Sequence, residues 1–411
     1  MSKLAELLKK TAEKNEFYQK RIAEYHIQDV TDITQYPVLT RQELQENRYH
    51  MFSEGYKSKY FSQQLRRQSS SGSSGVPVNV YWDDNEWYAS NMVLWRKRLQ
   101  WYGIRPIDKY AIFTLSLFDV KQDNKRIQYI NESANVLSVN VSLIKNEEGY
   151  EKLAVLINDF NPVWLYIQPF VLERLIRGYQ RSGLQKPSGL QYIESVGELL
   201  SSNLRRRAEE FFGVPLANMY GSEEMNGIAY ECPFRHMHIL KDNVLVEIKN
   251  KKGVFQSGEG EAVITNLHNN GMPLIRYNQG DLITLTPLEV PCQCGTGGLE
   301  VKLIKGRVTE SVTVSDEYEL NSSSLIEIMS EINNQYNGIV CAFNFVYSIS
   351  GKELICRIAM DRERSGWYNS VSNTIKELFH TLALYGISIK VEAIEENILS
   401  NRKPNIFQIL E

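Results

Sequence analysis

The 411-residue chain is 43% hydrophobic, 11% aromatic and 23% charged, which excludes a disordered protein and suits a globular one of two domains. A formal charge of −3 gives no reason to expect nucleic acid or an anionic membrane as partner. No run approaches the roughly 20 apolar residues that span a bilayer, and the start, Met1-Ser2-Lys3-Leu4-Ala5-Glu6, lacks the apolar core of a secretion signal, so the expected location is the cytoplasm.

Residues 1–60 read as helices with a turn at Tyr36-Pro37, and Thr40 caps a helix with Glu43 three residues on. A polar loop leads to an alternating, strand-like run at 76–81, and a long amphipathic helix is expected over 85–101. From there to about 220, strand-like runs at 110–113 and 163–166 alternate with helical ones at 149–158 and 201–212, the pattern of a largely parallel α/β sheet. Between about 228 and 305 the helical signal fades into β-like runs at 244–248, 261–265 and 282–285, separated by glycine turns. After Gly306-Arg307 the pattern restarts as strand, helix, strand, strand, helix, strand. The expected architecture is α/β: a large N-terminal domain, 1–305, of α/β sheets plus a β-rich subdomain, then a small α+β domain, 306–411.

Ser70-Ser71-Gly72-Ser73-Ser74-Gly75 concentrates hydroxyls and glycines just before a strand. Glycine lets backbone N–H groups approach anionic oxygens and serine adds neutral donors, so the segment suits phosphate; a flexible surface loop is the alternative. It lacks the Gly-Lys-Ser/Thr ending of a Walker loop. Cys232-Pro233-Phe234-Arg235-His236-Met237-His238 and Pro291-Cys292-Gln293-Cys294-Gly295 together offer thiolates and imidazoles of the kind zinc takes tetrahedrally. Reduced cysteines in tight turns are the alternative. Five cysteines in all are too few, and odd in number, for a disulfide framework, and Cys341 and Cys356 read as core residues.

The Ser/Gly loop resembles the phosphate loop of the adenylate-forming superfamily (acyl- and aryl-CoA ligases, luciferases, nonribosomal adenylation domains), with Val76 in place of the usual lysine. Further segments follow in that family's order. Gly197-Glu198 resembles the turn that flanks the adenine. Tyr220-Gly221-Ser222-Glu223-Glu224 is similar to the family's Tyr-Gly-x-Ser/Thr-Glu motif, which implies Tyr220 near the adenine and Glu224 on Mg²⁺. Arg276-Tyr277-Asn278-Gln279-Gly280-Asp281 resembles the motif whose aspartate accepts the ribose hydroxyls, and Gly306-Arg307 the hinge entrance, whose arginine also reaches the ribose. Glu223, Thr309 and Arg402 depart from the pattern.

Within the family the chain is most similar to the phenylacetate–CoA ligase and capsule-biosynthesis branch, on Glu231-Cys232 and the histidine beyond. The resemblance implies ATP- and Mg²⁺-dependent activation of a carboxylic acid as acyl-AMP, then transfer to an external acceptor. Family habit favours a thiol, coenzyme A or a carrier protein's phosphopantetheine. An amide synthetase using an amine and a degenerate binding homologue are the alternatives. The attacking carboxylate and the α-phosphate are both anions, so catalysis is chiefly charge neutralisation and positioning. Mg²⁺ on Glu224 serves the phosphates, and Lys403, on a mobile C-terminal domain, is the implied catalytic cation. Some relatives carry zinc, which implies a structural site on Cys232, His238, Cys292 and Cys294. The acid pocket is expected among 110–120, 195–200 and 220–230, with Phe113, Phe118, Tyr220 and Met225 in its lining; the acid's identity and a homodimer stay open.

Overall fold

The computed structural model describes residues 2–69, 78–114, 128–131, 133, 135–144, 146–315, 318–395 and 406–411. They fall into two compact units, Met1–Gly103 with Met219–Ile304, and Ile104–Asn218 with Lys305–Glu411.

In the first unit, Ser2 caps helix Lys3–Lys14, and Asn15 both ends that helix and caps Glu16–Glu24. Thr40 forms the expected capping box: its hydroxyl accepts from Glu43 N (3.2 Å) while Thr40 N donates to the Glu43 carboxylate (2.8 Å). Helix Asp84–Tyr102 begins at the Asp83 cap and ends at Gly103 in the left-handed region. Its apolar residues are not confined to one side, since Val93 and Leu94 are buried while Tyr88, Met92 and Leu99 are exposed.

The unit's sheet takes the expected β-rich region in the order Gly253–Phe255, Val244–Asn250, Gly258–Asn266, Tyr277–Pro287, Leu299–Arg307, Met237–Ile239, Asn226–Glu231. Alternate residues Val244, Val246 and Ile248 face Ala262, Ile264 and Ile283, and this face packs on Tyr18, Tyr36, Leu39 and Trp82. Leu39 is stitched to the sheet by two backbone bonds, Leu39 N to Arg276 O and Asn278 N to Leu39 O, both 2.9 Å. Beneath it the buried Arg276 guanidinium takes both Glu247 oxygens at 3.0 Å and the carbonyls of Thr34 (3.0 Å) and Tyr36 (2.8 Å).

In the second unit, parallel strands Tyr110–Thr114, Val136–Asn140, Trp164–Ile167 and Tyr192–Val196 form the expected α/β sheet, with Gln128–Asn131 antiparallel at one edge. The spatial order is 192–196, 164–167, 110–114, 136–140, 128–131. The chain therefore runs outward from strand 110–114 on one side and returns on the other. Helices Glu147–Phe160, Pro169–Ser182 and Ser202–Phe212 cover one face through Leu153, Ile157, Leu172, Leu175 and Phe212. A second core closes around helices Ser322–Gln335 and Tyr368–Leu378 and a sheet ordered Ser388–Ala393, Glu353–Met360, Val340–Ser348, Phe407–Leu410.

Among the described residues these two cores share no member. Polar side chains join them: Ser201 with Ser330 (2.6 Å), Ser202 with Glu327 (2.8 Å), Asn203 with Glu331 (2.8 Å) and Arg206 with Asn334. Nearby, Arg177 Nη1 donates to Cys341 Sγ at 2.7 Å, so Cys341 is buried as expected but sits in this seam, whereas Cys356 lies in the core.

Candidate functional site

Strand Leu216–Ser222 turns back into Asn226–Glu231, and Glu223, Glu224 and Met225 form the tip. Asn226 closes the turn at φ 58°, and Met225 N donates to Ser222 O (3.2 Å). The glycine is required: a Cβ on Gly221 would lie 2.4 Å from Asn226 O. Alternation along the strand leaves Tyr220 and Ser222 on one side, toward strand Tyr277–Pro287.

There Tyr220 Oη donates to Asp281 Oδ2 (2.8 Å). Gln279 Nε2 donates to the same carboxylate (2.6 Å) and to Tyr220 Oη (2.8 Å), and Ser222 Oγ donates to Gln279 Oε1 (3.1 Å). The structure thus brings together Tyr220, Ser222 and Asp281, three residues singled out from two separate motifs. Gln279 is the piece that sequence reasoning missed; it occupied an unspecified place in its motif and only the fold shows what it joins. Gln68 was also missed. Its amide nitrogen donates to Glu223 O (2.7 Å) and its oxygen accepts from Trp87 Nε1 (3.0 Å), fixing the end of strand Arg66–Ser69 beside the hairpin tip.

Glu224 is buried, 4% exposed. Burial first, and the Glu224 charge second, raise the Glu223 carboxyl above its ordinary range. A dication on Glu224 would lessen the smaller, electrostatic part of that shift, and Glu224 is the carboxylate that would take the implied Mg²⁺.

In the second unit, Gly197 follows strand Tyr192–Val196 at φ +77°, and Glu198 accepts from Phe170 N (3.4 Å). Arg307 ends strand Leu299–Arg307 after Gly306, whose φ of +114° only glycine takes readily. Phe113 and Met225 are fully buried in the cores of their units. Residues 70–75, Phe118 and Lys403 lie outside the described residues.

The cysteine–histidine group does assemble, and with His238 rather than His236. Cys232 and Cys292 sit in tight turns, closed by Cys232 N to His236 O (2.9 Å) and Cys292 N to Thr296 O (3.0 Å). His236 Nδ1 is engaged by Glu300 (2.6 Å), while His238, on strand Met237–Ile239 opposite Tyr230, points Nε2 at Cys294 Sγ (3.2 Å). Cys232 and Cys292 sulfurs are 3.7 Å apart, and all four donor atoms lie within 4.8 Å of one another. Zn–S bonds of about 2.3 Å at tetrahedral angles put two sulfurs about 3.8 Å apart, so the donor set fits zinc. Burial pushes the Cys232 thiol up to about 12 and, with His236 adding, brings His238 down to about 4. The imidazole is thus neutral and ready to ligate, while a metal would have to displace the thiol proton.

The fold is that of the adenylate-forming ligases. Over 98% of the chain it matches the 2-hydroxyisobutyryl-CoA ligase in its postadenylation state (TM-score 0.75, 17% identity, 87% of that chain). Over 82% it matches the anthranilate CoA ligase AuaEII bound to anthranoyl-AMP (TM-score 0.57, 13% identity, 65% of that chain). In sequence the chain is similar to phenylacetate-coenzyme A ligases: that of Thermus thermophilus is 25% identical over 67% of this chain and 62% of its own length. The chain matches between 59% and 62% of the length of the curated relatives. No protein-family model matches it.

Proposed function

We propose that the chain activates a carboxylic acid with ATP and Mg²⁺ as an acyl-adenylate and passes the acyl group to an external thiol, coenzyme A in the first instance. The observation that carries this is the Tyr220–Gln279–Asp281 cluster: two neutral donors hold a carboxylate beside an aromatic ring, and the two motifs that resemble the family's nucleotide motifs meet there. Asp281 would accept the ribose hydroxyls, Tyr220 would flank the base, and Ser222 and residues 70–75 would offer neutral donors to the phosphates. Mg²⁺ on Glu224 would neutralise charge as the pyrophosphate leaves. Gly197, Glu198 and Arg307 are assigned to nucleotide contacts and Lys403 to the α-phosphate, with residues 306–411 as a domain that moves between steps. Zinc on Cys232, His238, Cys292 and Cys294 would serve structure. Supporting the thiol acceptor, the related ligases named above are CoA ligases.

The decisive experiment is acid-dependent ATP–pyrophosphate exchange over a panel of acids, followed by coenzyme A and amines as acceptors. Exchange with one class of acid and thioester product is the expected outcome. Exchange with none would leave a binding homologue, and amide product alone would leave an amide synthetase.

A further inference from the structure

Gln168 follows strand Trp164–Ile167 and starts helix Pro169–Ser182. Its Nε2 donates to the Phe113 carbonyl on the neighbouring strand (2.9 Å), which fixes the orientation of the amide. Oε1 is thereby turned away from Phe113, shielded from solvent and without a hydrogen-bond partner among the described residues. Ser195, opposite Ile167 in the parallel register and wholly buried, has an Oγ in the same condition. A Cβ on Gly197 would come 3.8 Å from Gln168 Cγ, so the glutamine lies along the bare backbone of the Gly-Glu turn.

Buried polar side-chain atoms without partners are uncommon, and each calls for an explanation. Two of them here occupy neighbouring strand ends. The place itself is informative: the strand order reverses between 110–114 and 164–167, and open α/β sheets bind ligands beyond the carboxyl ends of the strands at such a reversal. Phe113 O and the Gln168 amide bridge that point.

We propose that Gln168 Oε1 reads a hydrogen-bond donor, a hydroxyl or an amino group, on the bound carboxylic acid, so that the substrates are acids carrying such a group. This rests on the acid-activating reading given above. Because Nε2 is committed to Phe113, the free end of the amide can only accept. A methyl group in the donor's place would leave Oε1 desolvated and unpaired, which penalises the analogue far more than a change of size would. Ser195 Oγ can give or accept, so Gln168 sets the sign of the preference.

The test is ATP–pyrophosphate exchange with pairs of acids differing only by donor against methyl: 2-hydroxyisobutyrate and 2,2-dimethylpropanoate, anthranilate and 2-methylbenzoate, 4-hydroxyphenylacetate and 4-methylphenylacetate. In the pair that fits, the donor acid is expected to lead in kcat/KM by on the order of tenfold or more. Gln168→Met should bring that pair close to parity while turnover of the methyl acid persists. The wild-type comparison decides even if the variant fails to fold. Equal rates within the pair, or a preference that survives in Gln168→Met, overturns the assignment and leaves acid activation standing. A variant that instead stops distinguishing ATP from purine riboside triphosphate, which lacks the 6-amino group, also overturns it. Exchange with no acid at all removes the enzymatic reading and this proposal with it.

Discussion

Asp281 is held in place by two donors, Tyr220 Oη and Gln279 Nε2. If Asp281 takes the ribose as proposed, such preorganisation would spare the ligand the work of ordering the carboxylate. Asp281→Ala is expected to weaken ATP binding by about 1–3 kcal/mol, and Tyr220→Phe by about 1 kcal/mol, as hydrogen bonds to a charged and through a neutral group differ. Isothermal calorimetry reads both; unchanged ATP affinity in Asp281→Ala would take the residue out of the site. A second residue-scale effect concerns His268, whose Nε2 faces Lys3 Nζ at 2.5 Å and the Asp242 carbonyl at 3.0 Å. Burial, then Lys3, lowers its pKa from 6.5 to about 4. The unfolded chain therefore takes up this proton near pH 6.5 and the folded chain only near 4. The stability contributed by the neutral ring is complete above that window and is lost progressively as pH falls through it. His268→Gln should flatten that part of the pH profile of the denaturant midpoint, and parallel profiles for the two proteins would refute the account.

Elements were legible where local chemistry decides them. The Thr40–Glu43 box, the alternating helices and strands of 110–212 and the β-rich run from 228 appear in the structure because caps, periodicity and glycine turns act over a few residues. What the sequence could not reveal were long-range partners. Arg276 stood inside a motif read for its aspartate, yet its side chain is spent on Glu247 and on the carbonyls of Thr34 and Tyr36, which lie about 240 positions away by sequence separations of 242 and 240. Gln279 and Gln168 escaped notice for the same reason: an amide carries no signature until its neighbours are known. The Arg276 pair also supplies an element-scale expectation. Burial raises the Glu247 carboxyl while Arg276 opposes the shift, so Arg276→Met strands a buried acid and should destabilise by about 3–5 kcal/mol. Adding Glu247→Leu should recover much of that loss, since an apolar pair leaves no charge behind. Urea titrations of the single and double variants check it; a double variant as unstable as the single would point to the Thr34 and Tyr36 contacts instead.

At the scale of the whole molecule, the cysteine–histidine knot ties the 232–238 turn to the loop carrying Cys292 and Cys294. Protein purified without added metal is expected to hold one zinc per chain, and a strong chelator should lower its melting temperature; a metal-free sample that is folded and equally stable would end the proposal. Lys403 belongs to the same scale, because its assigned role depends on movement of residues 306–411. Lys403→Ala should slow adenylate formation on the order of 10²–10³-fold while sparing thioester formation from supplied acyl-AMP. Measuring both half-reactions separates this from misfolding, which would depress them equally.

The seam between the two cores of the second unit has a thermal consequence. Its hydrogen bonds, such as Ser201 to Ser330 and Asn203 to Glu331, can be exchanged for bonds to water one for one. Opening it would uncover polar rather than apolar surface, and polar exposure does not raise the heat capacity as apolar exposure does. Separation of the two cores should therefore show little curvature with temperature, in contrast to the domed profile of unfolding either one. A machine hinged on such a seam would work nearly alike in the cold and in the warm.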